Sequence, residues 1–167
     1  LQPDEVLVRI GATSLCHTDL EVIEGQLKYP MPIVLGHEAA GTIEAVGDRV
    51  AGHRHGERVV LSWNPHCGSC APCQRGQQIL CEPYLQLAPR AVHFDGSARL
   101  RHNDQPVQTM FYMSAFAEYA VVNSGCAIPL PSEIPLDRAC LLGCAVMTGV
   151  GAATNVANVR PGDSVLV

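Results

Sequence analysis

The chain has no excess of positive charge. Eleven Lys and Arg stand against sixteen Asp and Glu, a formal net charge of −5, so nothing electrostatic favours a nucleic acid or an acidic membrane as partner. It also lacks any apolar run near the ~20 residues that a spanning helix needs, and no signal-peptide pattern opens it. No internal repeat or low-complexity tract is present. With 47% hydrophobic and 16% charged residues over 167 positions, the composition is that of about one globular domain. A chain of this size hides roughly two-thirds of its unfolded surface. The expected compartment is the cytoplasm.

Cysteine, by contrast, is abundant, with eight residues. Without a secretory segment, disulfides lack an oxidising compartment. Closely spaced cysteines then point to metal ligands or catalytic thiols. Four of them form Cys67-x-x-Cys70-x-x-Cys73-x7-Cys81, inside a loop-like stretch at about 64–83 with no core of its own. The short gaps let successive thiolates turn inward around one ion, Gly68 and Gly76 allow the tight backbone, and four sulfurs at ~2.3 Å suit a closed, structural tetrahedral zinc. Two disulfides or free thiols are the alternative. His66 is expected to be a loop histidine, since four cysteines already satisfy a metal.

Residues 5–13 alternate, with Val6, Val8, Ile10 and Ala12 on one face, as a half-buried strand does. Thr18–Glu24 can make one or two helical turns before Gly25 and the Pro30–Pro32 pair. Strands are expected at Gly41–Val46, Arg58–Ser62 and Ala115–Asn123. Residues 88–109 are weakly patterned, with a turn at Asp95-Gly96. Leu136–Val159 suggests two helical segments broken near Gly143 and Gly149–Gly151. After the Pro161-Gly162-Asp163 turn, Ser164–Val167 opens an apolar strand, and because the chain starts at Leu1 without methionine, further sequence is expected on both sides. Gly149-Val150-Gly151-Ala152-Ala153-Thr154 is rejected as a dinucleotide loop: it lacks the third glycine and follows no strand. His53, His55, His93 and His102 are expected to be solvated, Asp48 and Glu57 to be surface charges, and Cys126 and Cys140 to be buried free thiols.

Spacing alone does not assemble Cys16, His37 and Cys144, which lie far apart in the chain. A longer pattern does. Cys16-His17-Thr18-Asp19, then Gly36-His37-Glu38-Ala39-Ala40-Gly41 running to Val46-Gly47, then the four-cysteine lobe, then Gly143-Cys144 before Thr148-Gly149, resemble the zinc-containing alcohol dehydrogenases of the medium-chain superfamily in order and interval over nearly the whole chain. The resemblance implies that Cys16, His37 and Cys144 hold a catalytic zinc with one open position, a ligand set of which alcohol dehydrogenase is itself the standard example. Glu38 would lie just behind it as an occasional or neighbouring ligand. Asp19 would orient His37, and Thr18 would relay the substrate proton. His17 would face the cofactor pyrophosphate, Thr148 the nicotinamide, and Trp63 the substrate. Phe111-Tyr112-Met113 is either pocket lining or core. Two departures stand out: Arg54-His55-Gly56-Glu57 replaces a Pro-Gly-Asp turn, and Ala145 follows Cys144 where many members carry glycine.

The fold implied is mainly β with short helices, a partly open GroES-like barrel over residues 1–145 with a projecting zinc lobe. Residues 146–167 would begin a Rossmann-type domain whose glycine fingerprint lies beyond Val167. The implied cofactors are two zinc ions per chain and NAD or NADP. The implied reaction moves hydride between a primary or aromatic alcohol (an aldehyde in reverse) and NAD(P), in a protein that is a homo-oligomer at full length. Asp95-Gly96-Ser97-Ala98-Arg99 resembles the glutathione-binding segment of the formaldehyde dehydrogenases of this family, so a glutathione adduct is the alternative substrate, although Gly25–Tyr29 lacks the acidic residue of that group. From other classes, a non-catalytic zinc-stabilised module and a disulfide-stapled secreted domain stay open.

Overall fold

The computed structural model describes residues 1–167. Its strands are β1 (Glu5–Ser14), β2 (Ile33–Val34), β3 (Glu38–Val46), β4 (Arg58–Leu61), β5 (Leu100–His102), β6 (Gln105–Thr109), β7 (Tyr119–Asn123) and β8 (Ala127–Pro129). The helices are short: α1 (His17–Ile23), α2 (Ala71–Gln74), α3 (Glu82–Leu87), α4 (Leu136–Ala139) and α5 (Ala145–Gly151). No single helix is long and apolar enough to cross a membrane.

The alternation of β1 does what it predicts: Val6 and Val8 are fully buried while Arg9 and Gly11 face out. β1 pairs antiparallel with β3 from Val6–Val46 to Ser14–Glu38, and the register slips once after Leu7 and once after Ile10. Such bulges bend a strand and increase its twist. At the second slip Gly41 crosses so close to β1 that a Cβ would strike the Arg9 carbonyl and the Val8 side chain. The sheet runs β7-β1-β3-β4-β8, and its outer strands do not pair with each other. It stays open, as the expected partly open barrel requires. Its inner face buries Val6, Val8, Ile43, Val59, Leu61 and Val122 among others, each contributing roughly 1.5–3 kcal/mol by leaving water.

A smaller sheet, β2-β6-β5, lies outside the first. Its β5–β6 hairpin falls in the weakly patterned 88–109 stretch and turns at Asn103 and Asp104, both at positive φ (47° and 61°). A two-residue turn with both central residues left-handed matches strand twist, and Asn and Asp tolerate it. α4 and the 3-10 turn at 140–143 pack Ala139 and Cys140 against Ala40 of β3. The helix that follows does not break at Gly149–Gly151: α5 runs straight into a π-wound stretch at 152–156. Ser164–Val167 pairs with no strand, and Leu166 and Val167 are exposed.

His93 is not solvated. It is 2% exposed, with Nδ1 3.4 Å from Glu5 Oε1. Arg99 closes on the same carboxylate through Nε (2.9 and 3.0 Å) and Nη2 (2.6 Å), and on Asp95 at 3.0 Å. His53 also departs from expectation, lying half-buried 2.8 Å from Glu57, whereas His55 and His102 are exposed. Burial acts to raise the Glu5 pKa, but hydrogen bonds from His93, Arg99 and the Gln2 amide outweigh it and hold the carboxyl at about 2, against an ordinary 4.5. A depressed carboxylate contributes stability that is complete above the unfolded value and lost as pH falls through the folded one. Glu5→Gln is therefore predicted to cost about 2–4 kcal/mol at pH 7. Denaturant titration of both proteins should show that gap narrowing at pH 3; an unchanged gap would rule out the ion pair as its source.

Candidate metal centres

The first centre is built where α1 begins. Cys16 is the residue before the helix, and Asp19, a turn later, accepts the Cys16 N–H with Oδ2 at 3.0 Å. The other oxygen, Oδ1, accepts the Gly36 N–H, also at 3.0 Å. One buried carboxylate thus ties the start of α1 to the turn entering β3. Gly36 has φ +94°, and a Cβ there would sit 2.6 Å from the Phe116 amide nitrogen. Only glycine delivers the next residue, His37, into this space. Burial acts to raise the Asp19 pKa, yet contacts with His37, Cys16 and Gly36 hold it below the carboxylate range.

His37 is buried, with Nδ1 3.4 Å from Asp19 Oδ1 but without aligned hydrogen-bond geometry. Nδ1 faces Asp19, which leaves Nε2 for the thiols. Cys144 arrives from the opposite side. Gly143 lies so close to the Leu61 carbonyl of β4 that no side chain fits, and the Cys144 backbone (φ −139°, ψ −69°) breaks the helix before α5. One ligand atom from each of Cys16, His37, Glu38 and Cys144 lies within 4.8 Å of the others. Atoms bound to one zinc at ~2.0–2.3 Å are spaced on this scale. Glu38, expected just behind the trio, is thus in the group itself.

The chemistry of the set fits a cation. Glu38 Oε2 is buried without a hydrogen-bond partner, a costly state for a carboxylate unless a positive charge faces it. Burial and the neighbouring Cys16 push the Cys144 thiol up to about 11. At Cys16 burial acts upward too, but hydrogen bonds with Thr18 and His37 lower the thiol. Two adjacent thiols do not both ionise unless a cation offsets their repulsion.

The second centre is the lobe, where Cys67, Cys70, Cys73 and Cys81 also come within 4.8 Å of one another. Cys70 immediately precedes α2 and Cys81 precedes α3, so two helix starts aim their sulfurs inward. The Cys70 N–H donates to Cys67 Sγ and the Cys67 N–H to Cys81 Sγ, both at 3.3 Å. Backbone bonds from Ser69 and Cys70 bring Cys67 down to about 6. Burial and the Cys70 thiol push Cys73 up to about 12, the same repulsion a cation would relieve. The Cys70 and Cys73 sulfurs are 3.4 Å apart, well beyond the ~2.05 Å of a disulfide. Contrary to expectation the lobe has a small core, in which Cys73 and Cys81 pack with Tyr84 and Tyr112.

Around the first centre, Thr18 Oγ1 is 3.7 Å from Cys16 Sγ and Thr148 Oγ1 is 4.0 Å from Cys144 Sγ. His17 is exposed, 4.0 Å from Glu21. The Phe111 ring stands edge-on to His37, centroids 5.2 Å apart at 82°. Trp63 lies 5.2 Å from Phe111, and Tyr29 lies 6.2 Å from it. Of the 111–113 stretch, only Phe111 faces the site; Tyr112 and Met113 are core. Phe111, Tyr112 and Ser114 all have positive φ (47°, 60° and 56°), each costing about 1–3 kcal/mol for a non-glycine residue. Ser114 holds the turn, donating to the Val34 carbonyl at 2.7 Å and accepting from the Met110 N–H at 3.1 Å. No sequence signal marks this turn. A groove of about 660 Å³ opens beside Cys144, lined by Leu61, Trp63, Ile128, Gly143, Met147 and Thr148 among others. His66 also lines it.

A half-open sheet carrying two clusters of four residues that could each hold a metal ion defines the class of protein. Residues 2–132 match the alcohol dehydrogenase GroES-like domain, and the chain belongs to that family. It is 42% identical to a geraniol dehydrogenase of Castellaniella defragrans, over 98% of this chain and 44% of that protein. It superposes on an alcohol dehydrogenase zinc-binding domain protein from Burkholderia ambifaria with a TM-score of 0.88 at 42% identity, covering 98% of this chain and 44% of the other. A benzyl alcohol dehydrogenase from Acinetobacter calcoaceticus gives a TM-score of 0.85 at 35% identity, with the same coverage of 98% and 44%. The chain thus spans less than half the length of each relative.

Gly36→Ala is predicted to destabilise the protein by about 2 kcal/mol or more, because the left-handed backbone and the Phe116 contact act together. Thermal unfolding checks it; a Tm equal to wild type would show that the turn before His37 does not need glycine.

Proposed function

We propose that this chain is the catalytic portion of a zinc-dependent alcohol dehydrogenase of the medium-chain type, oxidising primary and aromatic alcohols. The observation that supports it most is the convergence of Cys16, His37, Glu38 and Cys144 on one small space. Cys16, His37 and Cys144 would hold the ion, with Glu38 beside them as an occasional fourth ligand. Zinc bound there supplies Lewis acidity, which lowers the pKa of a coordinated alcohol towards neutrality. NAD(P) supplies the hydride acceptor.

The chain's own residues do the rest. Asp19 fixes the ring of His37, as a carboxylate partner does for a metal-bound imidazole. The Thr18 hydroxyl, beside Cys16, accepts the proton leaving the alcohol and passes it outward, which an aliphatic residue cannot do. Thr148 would flank the nicotinamide end, and exposed His17 would meet the pyrophosphate. Phe111, edge-on to His37, and Trp63 beside Phe111 form an aromatic wall that suits flat, unsaturated alcohols, in keeping with the geraniol and benzyl alcohol named for two relatives. Residues 1–145 form the catalytic domain with its lobe at about 64–83, and 146–167 lead into the dinucleotide-binding domain. We further propose that the full-length protein acts in the cytoplasm as a homo-oligomer. A glutathione adduct is not supported: Arg99, the guanidinium it would need, is already neutralised by Glu5 and Asp95.

In the full-length protein, Cys16→Ala is predicted to lower turnover by more than about a hundredfold, with zinc falling from two ions to one per chain. Cys70→Ala should instead lower stability, because metal binding in such lobes is coupled to folding. Metal analysis with thermal unfolding decides. Loss of both ions from Cys16→Ala refutes two independent sites, and a wild-type protein holding a single ion favours a non-catalytic module.

A further inference from the structure

We infer that Tyr84 is a positioning residue that locks the aromatic substrate wall to the four-cysteine lobe, so that the lobe sets selectivity among alcohols as well as stability. The inference rests on the dehydrogenase reading above. Tyr84 lies in α3, three residues after Cys81, and is 3% exposed. It packs with Cys73 and Cys81 on one side. On the other its O–H donates to the Trp63 carbonyl at 3.2 Å, and its ring lies 6.4 Å from the Trp63 ring. It also lies 5.3 Å from Tyr112, the residue after Phe111. Tyr84 therefore holds both members of the wall, Trp63 directly and Phe111 through its neighbour.

The backbone conformation gives this contact its weight. Phe111 and Tyr112 both occupy the left-handed region, which non-glycine residues keep only where their surroundings over-determine it. Tyr112 is over-determined by Tyr84, His93 and Phe94, with ring centroids at 5.3, 5.5 and 5.1 Å. Loosening the hydrogen bond from Tyr84 lets Trp63 and Phe111 move relative to His37, while a ring kept in place preserves the packing on Cys73 and Cys81. Bulky flat alcohols, which spread over the wall, should register that movement; ethanol, which covers little of it, should register it far less.

The test is Tyr84→Phe in the full-length holoenzyme, with Tyr84→Leu beside it. Phenylalanine keeps the ring packed in the lobe and removes only the hydrogen bond to Trp63. Zinc per chain should hold at the wild-type value. Trp63 emission, taken as the difference from the same protein carrying Trp63→Phe, should shift. The KM for benzyl alcohol should rise roughly fivefold, the worth of one hydrogen bond, while its kcat and both constants for ethanol hold within about twofold. Tyr84→Leu should widen the gap between the alcohols. The inference is overturned if emission and the ratio of the two KM values stay at wild type in both variants. It is overturned equally if the alcohols weaken together, as lost lobe stability alone would cause. A wild-type protein inert to both alcohols, whose Tyr84→Phe emission still shifts, would sink the dehydrogenase reading and leave the coupling in place.

Discussion

The carboxylate of Asp19 is the constraint on which the first centre depends. Burying an ionised group costs several kcal/mol unless hydrogen bonds and opposite charge surround it. Asp19 is 1% exposed and meets the Cys16 amide, the Gly36 amide and the His37 ring. These three partners belong to two segments twenty residues apart, each delivering a side chain of the first four-residue cluster. The same interactions that offset the desolvation of Asp19 therefore fix the distance between Cys16 and His37. The sheet contributes the rest. Gly41 lets β1 and β3 approach at a bulge, and Gly143 lets the strand of Leu61 receive the segment that carries Cys144.

The two clusters differ in kind. Four sulfurs in the lobe come from one short stretch, and two of them stand at helix starts, so a local loop suffices to gather them. The other set draws Cys16, His37 with Glu38, and Cys144 from three separate parts of the fold, and one ligand atom is a carboxylate oxygen. Thiolates are soft donors that suit zinc, whereas a carboxylate is a hard oxygen donor of the same kind as water or an alcohol. A set of four sulfurs is closed; a set ending in Glu38 can open.

This contrast also governs how much the sequence reveals. The lobe was legible from spacing, because two consecutive gaps of two residues let neighbouring thiols turn toward one point. The alternation of β1 and the break near Gly143 were equally local. Cys16, His37 and Cys144 needed a family resemblance, since no local rule relates residues so far apart. His93 was misread for the same reason: its burial depends on Glu5, whose other partner, Arg99, is 94 residues from it. The β5–β6 hairpin was missed although Asn103-Asp104 is a permissible two-residue turn, because the flanking strands are too short and polar to show a period.

The strained turn at 110–114 connects these levels. Its left-handed residues have no local cause, since neither Phe, Tyr nor Ser favours that conformation. Their cost is met by tertiary packing: Ser114 against β2, Tyr112 inside the lobe's small core, Phe111 against His37. A turn held in an unfavourable conformation by contacts on three sides transmits a change on any one of them to the other two, since its local preference opposes its present shape. The lobe and the first metal centre are therefore parts of one mechanical unit joined through Tyr84, Tyr112 and Phe111.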